Sequence, residues 1–260
     1  MSEETLHQLL TRLGFRIDAS VLESLLKEAT RSKRSPREVL EQLCETERRA
    51  RDARHMERRH RQSKLGNFKP IDEFDWSHPR VIDRALFEEL LTLEFVRRKA
   101  NVLFRGSVGL GKTTLAKVLA HRALEMGFTA RFVTLATMLA EIARPDTPAL
   151  QARRLRAYAR PDVLVIDEIG YLPFDARSGD MLYHVIAERH GCRSTNATTN
   201  LPFKAWGSVL GDAGSIVPLV DRFSENLHVM DIEGDTARSR GSPKPGPGTP
   251  PLNPRRSRRS

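Results

Sequence analysis

Gly106-Ser107-Val108-Gly109-Leu110-Gly111-Lys112-Thr113, with Thr114 after it, is the stretch on which the reading of this chain turns. It matches G-x-x-x-x-G-K-[ST], a loop whose glycines let the backbone wrap a polyphosphate so that successive amide groups point inward. The helix expected to open near Lys112 adds its positive end at the same spot. In that arrangement Lys112 reaches the outer phosphates and the Thr113 hydroxyl ligates Mg²⁺. The flanks agree. Asn101 to Arg105 reads as a short apolar strand, and Lys112 to Met126 as a helix with Leu115, Val118, Leu119 and Met126 on its inner face and Gly127 at its C-cap.

Further along, strand and helix signals alternate, which implies a parallel sheet with helices on both faces. Thr129 to Thr134, Val163 to Ile166, Arg193 to Thr199 and Leu227 to Ile232 complete five candidate strands. The run Val163-Leu164-Val165-Ile166 ends in Asp167-Glu168, 55 residues after Lys112. Two adjacent carboxylates after four apolar residues are costly unless a cation or a reaction uses them. Asp167 is expected to hold Mg²⁺ and Glu168 to orient and polarise an attacking water; the plainer alternative is an acidic pair capping the next turn. Asn200 ends the fourth strand, where on residue type alone it caps a helix starting near Pro202.

Four runs together resemble the IstB family, the ATP-dependent helper proteins of bacterial insertion-sequence transposition, related to the DnaC helicase loaders and the DnaA initiator. They are Asn101 to Gly106 with Lys112 to Ala116, Arg160 to Pro173, Thr199 to Gly207, and Asp221-Arg222-Phe223. The resemblance implies an AAA+ P-loop ATPase: a three-layer α/β fold with a five-stranded parallel sheet, preceded by a small helical domain. It also implies Mg²⁺-dependent ATP hydrolysis stimulated by DNA, homo-oligomers on DNA, and recruitment of the transposase of the same element. Carried over by position, Asn200 is sensor 1, Arg222 is the arginine finger that reaches a neighbouring subunit's ATP, and Arg238 is sensor 2. The alternative for Arg222 is a surface arginine paired with Asp221. Ser107-Val108 stands where the family more often has Pro-Pro, and Asp235-Thr236-Ala237 departs from the Gly-Glu-Ser-Tyr-Arg pattern. Two other functions share these motifs: a replicative helicase loader, and a nucleotide-gated DNA scaffold that hardly hydrolyses. Glu168 argues against the scaffold.

Outside this core, the first 45 residues read as short helices, with capping boxes at Ser20/Glu23 and Ser35/Glu38 and Pro36 at a first helical position. From Glu47 the chain is rich in arginine, and Arg51, Arg54, Arg58 and Arg61 are spaced to share one helical face that ends at Gly66. The 43 Lys and Arg against 33 Asp and Glu give +10, unevenly spread. Residues 47–64 carry eight basic and three acidic residues and residues 239–260 six and none, leaving a near-neutral body. Two cationic segments on such a body point to a polyanion, here DNA phosphates. The expected organisation is residues 1–66 for DNA and partner contact, 67–238 for the ATPase, and 239–260 as a disordered basic tail holding six of the fifteen prolines. An acidic amino terminus and the lack of a long apolar run exclude export and membrane spanning, so a cytoplasmic protein is expected. Cys44 and Cys192 read as free, buried thiols, and the eight histidines show no zinc-type spacing.

Overall fold

The computed structural model describes residues 5–234 except 78, 145, 146, 172, 212 and 213. Helices α1 (Leu6–Arg12), α2 (Ala19–Arg31) and α3 (Pro36–Ser63) come first. Leu10, Ile17, Leu22, Leu25 and Leu43 of this module form a small core of their own. After a 3-10 turn at Ile71–Glu73, α4 (Arg84–Leu90) and α5 (Glu94–Arg97) lead into β1 (Asn101–Gly106) and α6 (Lys112–Glu125). Next come β2 (Ala130–Thr134), α7 (Leu135–Ala143), α8 (Pro148–Ala159), β3 (Val163–Ile169) and α9 (Ala176–Arg189). The chain continues through β4 (Ser194–Thr199), a 3-10 turn at Phe203–Ala205, α10 (Trp206–Val209), α11 (Ile216–Ser224) and β5 (Leu227–Ile232).

The five strands form one parallel sheet in the order β2-β3-β4-β1-β5. Alternate residues of each strand face opposite sides, and both sides are covered. Val102, Phe104, Val163, Val165 and Met230 pack with Leu115, Leu119 and Ala123 of α6. On the other side Leu103, Leu164, Ile166 and Ala197 pack with Met138 and Ile142 of α7, Leu182 and Val185 of α9, and Leu219 of α11. This is the expected three-layer AAA+ arrangement. Because β4 lies between β1 and β3, the loop after β1 and the acids at the end of β3 open onto one crevice above β4, the place where parallel sheets bind ligands.

The polar central strand is stabilised by its neighbours. Arg189, only 1 % exposed, donates from Nε to Thr195 Oγ1 (2.9 Å) and from Nη1 to the carbonyls of Pro161 (2.7 Å), Ala159 (3.0 Å) and Tyr158 (3.1 Å). Burial pushes its pKa down to about 9, still above neutral pH. Ser194 Oγ donates to the Phe95 carbonyl, and Asn101 Oδ1 accepts from the Thr195 amide at 2.8 Å.

Several local expectations shift. The Ser35/Glu38 capping box is present, but α2 is capped by Asp18, whose side chain accepts from the Ser20 amide at 2.9 Å. One helix runs through residues 45–47, because no breaker lies between Pro36 and Ser63 and Glu45 pairs with both Arg48 and Arg49 at i+3 and i+4. It ends at Ser63 with left-handed Lys64 (φ 55°) as its C-cap, ahead of Gly66. Met126 is the C-cap of α6 and 50 % exposed rather than inward. Both cysteines are exposed. Cys44 follows the inward-facing Leu43 and so points about 100° away from it, and Cys192 lies in the turn between α9 and β4.

Candidate functional site

The loop after β1 fits its neighbours only with glycine at its ends. A Cβ on Gly106 would lie 2.1 Å from the Ile232 carbonyl oxygen of β5. One on Gly111, whose φ is +84°, would lie 2.5 Å from the Phe74 ring. Between them Lys112 Nζ donates to the Ser107 carbonyl at 2.7 Å. Burial lowers the Lys112 pKa and the nearby Asp167 charge raises it, with burial the larger effect.

At the end of β3 the register against β4 slips by one residue, since Ile166 pairs with Ala197 but Ile169 with Thr199. Asp167 and Glu168 therefore face the single residue Thr198, a β-bulge, and Glu168 takes a left-handed φ of 65°. The bulge separates the two carboxylates. Asp167 is 4 % exposed and accepts from the Thr113 hydroxyl at 3.0 and 3.2 Å, whereas Glu168 is exposed on the crevice wall. Thr198 Oγ1 accepts from the Glu168 amide at 2.9 Å and donates to Asp167 Oδ1 at 2.5 Å. Sequence reading missed Thr198, because a bulge is a matter of pairing between strands and leaves no local pattern.

The crevice has a volume of 330 Å³ and is lined by Val108, Gly109, Gly111, Lys112, Thr113 and Thr114 on one side and Glu168, Thr198, Thr199 and Asn200 on the other. Thus the loop, the exposed acid and Asn200 come together. Asn200 makes no cap bond: the turn at Phe203–Ala205 has Pro202 as its N-cap and no side-chain cap. Leu110 is buried beneath the loop. Arg222 stands apart, in the last turn of α11, where its guanidinium donates to the Tyr183 hydroxyl and lies 4.8 Å over that ring. Arg238 and residues 239–260 lie outside the described residues.

A second constellation lies on α3. Arg51, Arg54, Arg58 and Arg61 share one face and, with Arg16 and His55, line a cleft of 450 Å³. Glu47, 4 % exposed, anchors it: its carboxylate accepts from the Arg16 amide (2.9 Å) and pairs with Arg54 (3.0 Å) and Arg51 (3.4 Å). Burial pushes the Glu47 pKa up, but the Arg16 amide and the two arginines outweigh it and hold the carboxyl below its ordinary value.

The ATP-binding protein of insertion sequence IS5376 from Geobacillus stearothermophilus is 32% identical over 238 residues, 92% of this chain and 95% of that protein. The IS21 ATP-binding protein of Pseudomonas aeruginosa is 31% identical over 241 residues, 93% of this chain and 91% of its own length. Among solved structures, DnaI has a TM-score of 0.53 at 16% identity, covering 65% of this chain and 92% of that one. The replication initiator DnaA bound to AMPPCP and single-stranded DNA has 0.51 at 17% identity, covering 64% and 50%. These two likenesses concern the fold alone. Residues 8–244 match the family described as IstB-like ATP binding protein, and with its phosphate loop and bulged acidic strand in register the chain belongs to that family.

Proposed function

We propose that the protein binds Mg²⁺-ATP in the crevice above β4, hydrolyses it to ADP and phosphate, and assembles on DNA to assist the transposase of its insertion sequence. The observation that carries this reading is the bulge at Asp167-Glu168, which keeps one carboxylate against Thr113 and delivers the other to the crevice. The donor set fits the ions it would hold. Thr113 and Asp167 supply the hard oxygens that Mg²⁺ prefers, and bound there the ion would neutralise charge developing on the phosphates.

The chain's own groups have separate tasks. The amides of the loop and the α6 N-terminus bind phosphate oxygens, and Lys112 gives up the Ser107 carbonyl to compensate their charge. Glu168 accepts a proton from the attacking water, and Asn200, on the same wall of the crevice, orients that water. Arg222 lies away from its own crevice, which supports a role at the crevice of a neighbouring copy. Residues 1–66 contact DNA and partners through the α3 arginines, residues 67–238 form the ATPase, and the tail adds charge.

A helicase loader has the same chemistry, but the insertion-sequence relatives extend along more than nine-tenths of this chain, which favours transposition. A scaffold without turnover has no use for a carboxylate that faces the crevice as a proton acceptor. Glu168→Gln decides hydrolysis: it keeps size and hydrogen bonding but accepts no proton, so ATP binds, turnover falls steeply and ATP-dependent assemblies on DNA live longer. Turnover equal to wild type would assign the water to another group.

A further inference from the structure

The groove between the end of α3, the start of β2 and the α8–β3 junction has a volume of 660 Å³. Five cations line it: Arg59 and Arg61 from α3, Lys64 at its C-cap, Arg131 from β2, and Arg160 at the C-cap of α8. Two carboxylates stand close by and are committed. Glu141 pairs with Arg131 (3.2 Å) and Lys64 (3.6 Å), and Asp162 accepts from the Thr129 amide and hydroxyl. Arg59, Arg61 and Arg160 have no ion-pair partner among the described residues. The site lies at the amino-terminal end of the sheet, away from the crevice that holds the phosphate loop.

We infer that this groove binds the phosphodiester backbone of DNA and continues the α3 face, so that one DNA segment is held by the helical module and the ATPase core together. The inference rests on the reading of the α3 arginines as DNA contacts. Arg61 lines both this groove and the cleft of Arg16, Arg51, Arg54 and Arg58, so the two are one track. From Arg51 to Lys64 the helix rises about 20 Å, the axial length of about six base pairs. The repeated guanidinium groups suit a repeating anion that each can meet with paired N–H donors. A peptide would be anchored by large apolar or aromatic side chains entering pockets, and among the described residues the only apolar side chains lining the track are Ala130, Ala157 and Pro161. The rigid fixing of the groove also matters. Ser63 and Leu65 are fully buried beside it and Met56 packs on the sheet core, which fastens the α3 wall of the groove to the core.

The test uses the full chain on a random 30-base-pair duplex, titrated with KCl. Arg59→Gln with Arg160→Gln removes two groove charges without breaking an ion pair, and Arg54→Gln with Arg58→Gln removes two from the α3 face. Each pair lowers the slope of log affinity against log salt by about 2, and the four together by about 4. A charge-matched control, Lys27→Gln with Arg37→Gln, which lines neither site, leaves the slope unchanged. ATP affinity stays at the wild-type value throughout. Arg160→Ala alone lowers the slope by about 1 and serves if the groove pair folds poorly. If the α3 pair lowers the slope and the groove variants do not, the groove lies off the DNA path and the inference falls while the α3 reading stands. If neither does, both fall. Unchanged DNA slopes with lost binding of poly-glutamate in the groove variants would reassign the groove to an acidic protein segment.

Discussion

The Thr198 hydroxyl donates to the Asp167 carboxylate at 2.5 Å and accepts from the Glu168 amide at 2.9 Å, so a single side chain of β4 fixes both acids of β3. A glutamate in the left-handed region costs on the order of 1–3 kcal/mol, and the bond to its amide offsets part of that cost. Thr198→Val keeps the shape and removes both bonds. It is expected to lower turnover about tenfold or more and to raise the Mg²⁺ concentration needed for half-maximal rate, while ATP affinity without Mg²⁺ stays the same. Thr198→Ser restores both bonds and most of the rate. Equal rates for the valine and serine variants would show that the hydroxyl has no part in the site.

In the proposed function the Lys112 charge compensates the outer phosphates, and Lys112→Ala removes it. Binding of a fluorescent ATP analogue is expected to fall at least about 100-fold, and unchanged affinity would rule out the loop as the phosphate site.

Arg222 contacts Tyr183 and lines no part of its own crevice. If it completes the site of a neighbour, Arg222→Ala lowers turnover by about 10³ to 10⁵-fold, the range for arginine fingers, without weakening ATP binding. Mixing it with Lys112→Ala protein then recovers part of the rate, because one interface again holds an intact loop and an intact arginine. Mixed oligomers with no recovery would place the arginine's role within its own subunit.

The Glu141 carboxyl is held below the ordinary glutamate value of 4.5, first by the Tyr158 hydroxyl and then by the charges of Lys64 and Arg131. Its folded pKa is lowered, so its stabilising contribution is present above about pH 4.5 and is lost as pH falls through the folded value. Urea unfolding is expected to find Glu141→Gln less stable than wild type at pH 7, with the gap narrowing as pH falls below about 4.5. A difference that is the same at both pH values would show that the carboxylate charge does not join α3 to the core.

The chemistry-bearing loop, the acidic strand and the five-strand order of events were legible because each is local: glycine spacing before a helix, or an apolar run ending in acids. The bonds of Thr198 and the gathering of the groove cations were not. Thr198 sits in a strand of serine, threonine and asparagine that looks too polar for the middle of a sheet, and only the bulge gives its hydroxyl a task. Arg131 and Arg160 belong to the body of residues 65–238, whose 22 basic and 22 acidic residues cancel, and that sum cannot reveal that folding brings them beside Arg59 and Arg61. The Asp18 cap was hidden behind a plausible box at Ser20, since either residue can supply the first acceptor.

Helix α3 is continuous from Pro36 to Ser63, and its far end is fastened into the sheet core. Its 28 residues make a lever about 40 Å long. Small angular changes at the fastened end become large displacements at the other: a tilt of about 10° carries the tip by about 7 Å at that length, twice the rise of one base pair. If the core reorients slightly against neighbouring copies, as the proposed assembly would require, it pulls or twists whatever the amino-terminal module grips, without any hinge in between to absorb the motion.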